Sequence, residues 1–262
     1  MFMGHSLITG LAKTKEFDEV SRIIADGADA AQVADATLKA AELAMAWVQN
    51  DAGFREAIWL LTQLGVSGTK PHPLMHLAQH GLVRAEANSI VDVVSDLCNA
   101  FQSSLDASRE RSDFGDVSRR ALASAITGYL GERLGGLFEP SSRDMESALK
   151  DLRKPSVFGE VYKAYVGGLT NKSLGYYLSR ELAKHLGHRF PTANQKAEFE
   201  TSLRTLCHES AEVVKKYGGE WFSKHLHEEG GDISRESAEG FGWYGMQKVR
   251  AVLRAKAKKN GN

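Results

Sequence analysis

Apolar residues recur at three- and four-residue steps along most of the chain, the period of a helix with one buried face. The two-residue alternation of a half-buried strand is nearly absent. In KEFDEVSRIIADG, Phe17, Val20, Ile23 and Ile24 share one face, and Gly27 stands where such a helix stops. Asp29 occupies an N-cap position ahead of AAQVADATLKAAELAMAWVQN, where Val33, Leu38, Ala41, Ala44, Met45 and Val48 repeat the pattern. Asp51 is placed to cap a third helix, AGFREAIWLLTQLG, closed by the loop GVSGTKPHP. A short helix is expected from Pro73 to Gly81. A long one should run from about Ala85 to Ala107 through Ile90, Val91, Val94, Leu97, Cys98, Phe101 and Leu105. Asp113 or Asp116 should start the next, VSRRALASAITGYLGERLGGLF.

Near Glu139 the segment FEPSSRD reads as a turn, and Ser141 with Asp144 three positions on makes a capping-box signal. MESALKDLRK follows, and then Pro155 opens VFGEVYKAYVGGLTNKSLGYYLSRELAKHLG. Gly167 and Gly168 are expected to break that stretch into two helices. Thr192 and Gln195 form a second capping signal ahead of NQKAEFETSLRTLCHESAEVVKKYGG, with Gly218-Gly219 as its stop. Ser234 should cap a last helix that frays into the basic tail KAKKNGN. The pattern predicts an all-α fold of about ten helices in two packed helical layers or subdomains. The divisions suggested are 1–137 and 140–262, with one continuous core as the other arrangement.

Charge sharpens that division. Residues 1–139 hold 12 Lys and Arg against 18 Asp and Glu, and residues 140–262 hold 21 against 15, so a neutral chain joins an acidic half to a basic one. Halves of opposite sign attract each other, neighbouring copies or outside partners. With 262 residues, 42% apolar and 25% charged, the composition is that of a globular protein with a real core. No apolar run approaches the roughly 20 residues of a bilayer crossing. No basic residue precedes the weak apolar run of MFMGHSLITGLAKTK, so no signal peptide is expected. Cys98 and Cys207, far apart in unrelated segments, read as free thiols, and a cytoplasmic location follows as the expectation.

Candidate chemistry lies in three histidine clusters. LCHESAEVVKKYGGEWFSKHLH gathers Cys207, His208, His225 and His227. On a helix, however, Leu203, Leu206, Cys207, Ser210, Val214 and Tyr217 share one face. Cys207 then takes a core position, and His208 lies about 100° away from it. SRELAKHLGH sets Glu181 and His185 four apart with His188 beyond, a carboxylate–imidazole pair suited to metal binding or proton relay and equally to a surface ion pair. PHPLMHLAQHG steps His72, His76 and His80 by four, a metal-ligand spacing that lacks the acidic residue of H-E-x-x-H. Phosphate-cradling loops and nucleophile elbows have no matching motif.

The C-terminal stretch EGFGWYGMQKVRAVLRAKAKK combines aromatic rings with cations. Phe241, Tyr244, Gly245, Val249 and Val252 are expected inward, and Trp243, Gln247, Arg250 and Arg254 on an exposed face extended by Lys256, Lys258 and Lys259. Such a face suits a protein partner, including the acidic half of another copy. It also suits nucleic acid through phosphate contacts and base stacking. The simplest account is dipole complementation at a helix C-terminus.

The leading expectation is a non-catalytic helical interaction or scaffold subunit of a multi-protein complex, its Ala- and Gly-rich composition suggesting a bacterial one, with no cofactor and no catalytic residue assigned. A nucleic-acid-binding accessory protein, as in phage defence or mobile-element systems, is the alternative. A metal-dependent hydrolase built on Glu181, His185, His76 or His80 is the second.

Overall fold

The computed structural model describes residues 14–26, 30–135, 141–185 and 193–259. Among these residues the fold is all-α: α1 (Lys15–Ala25), α2 (Ala30–Val48), α3 (Ala52–Ser67), α4 (Pro73–Gln79), α5 (Ile90–Ser108), α6 (Gly115–Leu134), α7 (Ser142–Asp151), α8 (Pro155–His185), α9 (Ala193–Ser210), α10 (Glu212–Glu228) and α11 (Arg235–Lys259), with no strand. They pack as two layers. Helices α4 to α7 gather around α3, while α1, α2, α9, α10 and α11 gather around α8 and the α2–α11 seam. The α6–α8 and α3–α11 contacts join the layers, and one connected set of buried side chains runs through both. The layers are interleaved along the chain: α2 packs on α8 and α11, and α7 packs on α3 and α6.

Helix starts follow local chemistry. The Asp51 carboxylate accepts from the Gly53 and Phe54 amides at 2.8 and 3.3 Å, as an N-cap should. It also accepts from the Asp113 and Phe114 amides at 2.8 and 3.1 Å and from the Ser112 hydroxyl at 2.7 Å. One side chain therefore caps α3 and also holds the two residues that lead into α6, whose N-cap position is Phe114, with no side-chain cap bond, rather than Asp113 or Asp116. The Ser141–Asp144 capping box is present at α7. Ser234 caps α11, accepting from the Ser237 amide at 3.2 Å. Ser89 caps α5, so this helix starts at Ile90 rather than near Ala85. Asp29 and Thr192 lie outside the described residues.

Glycine pairs behave differently from expectation. Helix α8 runs unbroken through Gly167 and Gly168, and α10 runs through Gly218 and Gly219; the chain instead turns at Ala211, between α9 and α10. The reason is tertiary. Gly159 faces the Lys215 carbonyl oxygen and Gly219 faces that of Pro155, each so close that an added Cβ would lie under 3.0 Å away. Gly218 meets the Tyr162 ring, and Gly167 meets His208. Packing at this close crossing outweighs the poor helix propensity of glycine. Around it the core is aromatic: Phe158 stacks on Phe222 at 4.2 Å, and Phe241 lies 4.2 Å from Trp221 and 4.4 Å from Tyr162.

Candidate functional site

Helix α11 presents its two faces through its glycines. Gly242 lies against Ile58 and Phe54, and Gly245 against the Tyr162 hydroxyl, so the buried face centres on them together with Phe241, Met246, Val249 and Leu253. That rotation turns Tyr244 outward, contrary to the inward position expected from spacing. Tyr244 is 61% exposed and Trp243 39%, their rings edge to face at 5.0 Å.

Arg250, Arg254 and Lys256 of the same helix are engaged by side chains elsewhere in the molecule. Arg250, only 16% exposed rather than on an open face, donates to Glu42 of α2 from Nε at 3.0 Å and to Gln49 from Nη1 at 3.2 Å. Arg254 donates to the same Glu42 oxygen at 2.7 Å, Gln247 bonds Gln49 at 2.8 Å, and Lys256 pairs with Glu209 at 3.0 Å. The acidic and basic halves thus meet along the α2–α11 seam. The side chains of Lys258 and Lys259 lie outside the described residues.

Cys207 is buried in α9, and desolvation pushes its thiol up to about 12, so it remains protonated and unreactive. His208 beside it is half-buried, and burial, with Lys163 and Arg204 nearby, lowers its imidazole below the ordinary value. His225 and His227 lie in the last turn of α10, where the His225 ring stacks on Trp221 at 4.3 Å. His72 precedes α4, exposed, with Nδ1 3.9 Å from Glu146. The His76 and His80 rings are 4.4 Å apart, with His80 Nδ1 2.8 Å from the His76 carbonyl oxygen. Among the described residues no three His, Cys, Asp or Glu side chains gather to hold a metal ion. The side chains of Glu181 and His185 lie outside the described residues.

Spacing along the chain gave no sign of a cleft of about 550 Å³ between α3, α5, the segment after α4 and the first turn of α11. Its floor is Glu56, 5% exposed, whose Oε2 accepts from the Arg235 guanidinium and the Ser104 hydroxyl, both at 2.7 Å. The Arg235 guanidinium carbon sits 5.0 Å above the Trp59 ring, and across the cleft Arg84 binds Asp96 and Asp92 at 2.9 Å. The one local signal was a carboxylate among the apolar residues of AGFREAIWLL. No family model, curated protein or solved structure matches the chain.

Proposed function

We propose that this chain is a non-catalytic helical interaction subunit that docks a protein partner, or a second copy, through the aromatic surface of α11 in a cytoplasmic complex. The observation that carries the reading is the pair Trp243 and Tyr244, two large rings side by side and exposed on a helix whose opposite face is anchored in the core. Exposed aromatic anchors on a rigid element are the side chains that contribute most at protein interfaces. Arg250, Arg254 and Lys256 already hold carboxylate partners, so these three cations are less available to phosphates, which supports a protein contact over nucleic acid. Among the described residues no helix is long and apolar enough to cross a membrane.

The test is co-purification of the tagged chain from its native host, with sedimentation velocity on the purified protein. A stoichiometric partner or a concentration-dependent dimer is expected. It should be lost in Trp243→Ser/Tyr244→Ser while thermal unfolding is unchanged, since truncating such anchors costs about 2 kcal/mol or more of binding. A lone monomer without partners, an assembly indifferent to the double variant, or tight DNA or RNA binding that falls steeply with salt would each refute the reading.

A further inference from the structure

We propose that the groove between α10 and α11 receives an acidic amphipathic helix of a protein partner, a proposal that rests on the docking role of Trp243 and Tyr244. The two helices pack side by side, with the Phe241 ring 5.5 Å from that of Tyr217. On the α10 edge Val213, 38% exposed, stands one turn before Tyr217. On the α11 edge Tyr244 stands one turn before Lys248, with the half-buried Val252 one turn beyond. Of the six exposed large apolar side chains among the described residues, Val213, Trp243 and Tyr244 thus share one face. An apolar strip with one-turn spacing on both edges matches the apolar stripe of a docked helix.

The two edges join at Tyr217. Burial first, and the Tyr244 phenol second, push the Tyr217 hydroxyl up to about 12, so the two phenols lie near each other. The Lys248 ammonium sits 5.0 Å from the centre of the same Tyr217 ring. Lys248 is exposed and has no carboxylate partner among the described residues, unlike Arg250, Arg254 and Lys256.

Charge decides the sign of the partner. From Phe241 to Ala257, α11 carries Lys248, Arg250, Arg254 and Lys256 and no acidic residue. Those four cations meet two carboxylates, Glu42 and Glu209, so the helix keeps an excess of two positive charges. Beside the groove, Glu212 and Glu220 of α10 are matched by Lys163 and Lys216 and do not offset that excess. An acidic segment is attracted there and a basic one repelled. An apolar strip holding a single unpaired ammonium suits carboxylates on an amphipathic helix better than a run of phosphates.

Fluorescence anisotropy with the full chain at low salt tests this. The probes are a labelled amphipathic helical peptide of about 18 residues with Leu and Phe on one face and Glu on the other, its twin with Lys for every Glu, and single-stranded oligothymidylate. The Glu peptide should bind about tenfold or more tighter than its twin, the difference shrinking as salt rises. Lys248→Glu cancels the excess of two charges and should remove most of that preference with unchanged thermal unfolding. Trp243→Ser/Tyr244→Ser should abolish binding of the Glu peptide. Equal binding of the twins, or a preference indifferent to Lys248→Glu, overturns the acidic partner and leaves the docking role of the aromatic pair, tested by co-purification, intact. No binding of the Glu peptide at about 100 μM, tighter binding of the oligonucleotide, or self-association that the Glu peptide does not compete would also overturn it.

Discussion

Substituting alanine for glycine at the α8–α10 crossing should reverse the usual sign of that exchange in a helix. At Gly219 the added Cβ would meet the Pro155 carbonyl oxygen, and at Gly159 that of Lys215, in both cases under 3.0 Å. The obstacle is backbone of the neighbouring helix, so no rotamer change relieves it and the helices must part. Overpacking of this kind costs about 3 kcal/mol at the upper end of its usual range. Alanine returns about 1 kcal/mol through helix propensity, so the net loss is about 2 kcal/mol. For a chain of this size that lowers Tm by about 4–8 °C. Gly128, inside α6 with nothing within 4 Å of an added Cβ, is the control. There the same exchange should stabilise by about 0.5–1 kcal/mol. Thermal and urea unfolding followed by circular dichroism measure both. A Gly219→Ala protein as stable as the parent, or a Gly128→Ala protein destabilised as much as Gly219→Ala, would refute the close-crossing argument.

Three further outcomes are expected. Asp51→Ala removes the cap of α3 together with the anchor of the residues leading into α6 and should cost about 2–4 kcal/mol, while Asp51→Asn, with one acceptor oxygen left, should lose about half as much in urea unfolding. Glu42→Gln leaves Arg250 and Arg254 without their shared carboxylate, so the protein should elute from heparin at higher salt and unfold about 1–3 kcal/mol more easily; unchanged elution would contradict the intramolecular neutralisation. The imidazole of His208 lies below its ordinary 6.5 in the folded state through burial, so on acidification the unfolded chain takes up that proton first. Stability should fall as pH drops below about 6.5, and His208→Gln should flatten that part of the profile measured by urea midpoints against pH. An unaltered slope would count against it.

What was legible from sequence is what local rules decide. Asp51 and the Ser141–Asp144 pair announce helix starts because a cap bonds amides only two or three residues away. Cys207 was placed inward by helical period alone, and it is buried. The glycine pairs were misjudged because an isolated glycine weakens a helix, whereas here it admits a second helix; the deciding neighbours of Gly218 and Gly219 are Tyr162 and Pro155 on α8. Periodicity correctly grouped Trp243, Gln247, Arg250 and Arg254 on one flank, but only the position of α2 decides that Glu42 lies beside it. The cleft was hidden for the same reason: Glu56 meets Ser104 and Arg235 at separations of 48 and 179 residues.

The bond between Glu42 and Arg250 spans 208 positions. At ribosomal speeds of about 5–20 residues per second, roughly 10–40 s pass between synthesis of those two residues. During that interval the flank of α2 that will receive α11 has no mate. The nascent protein must therefore carry that flank, with Glu42 and Gln49 not yet paired, for the whole interval, and conditions that slow elongation lengthen its vulnerability to misassociation with other nascent chains.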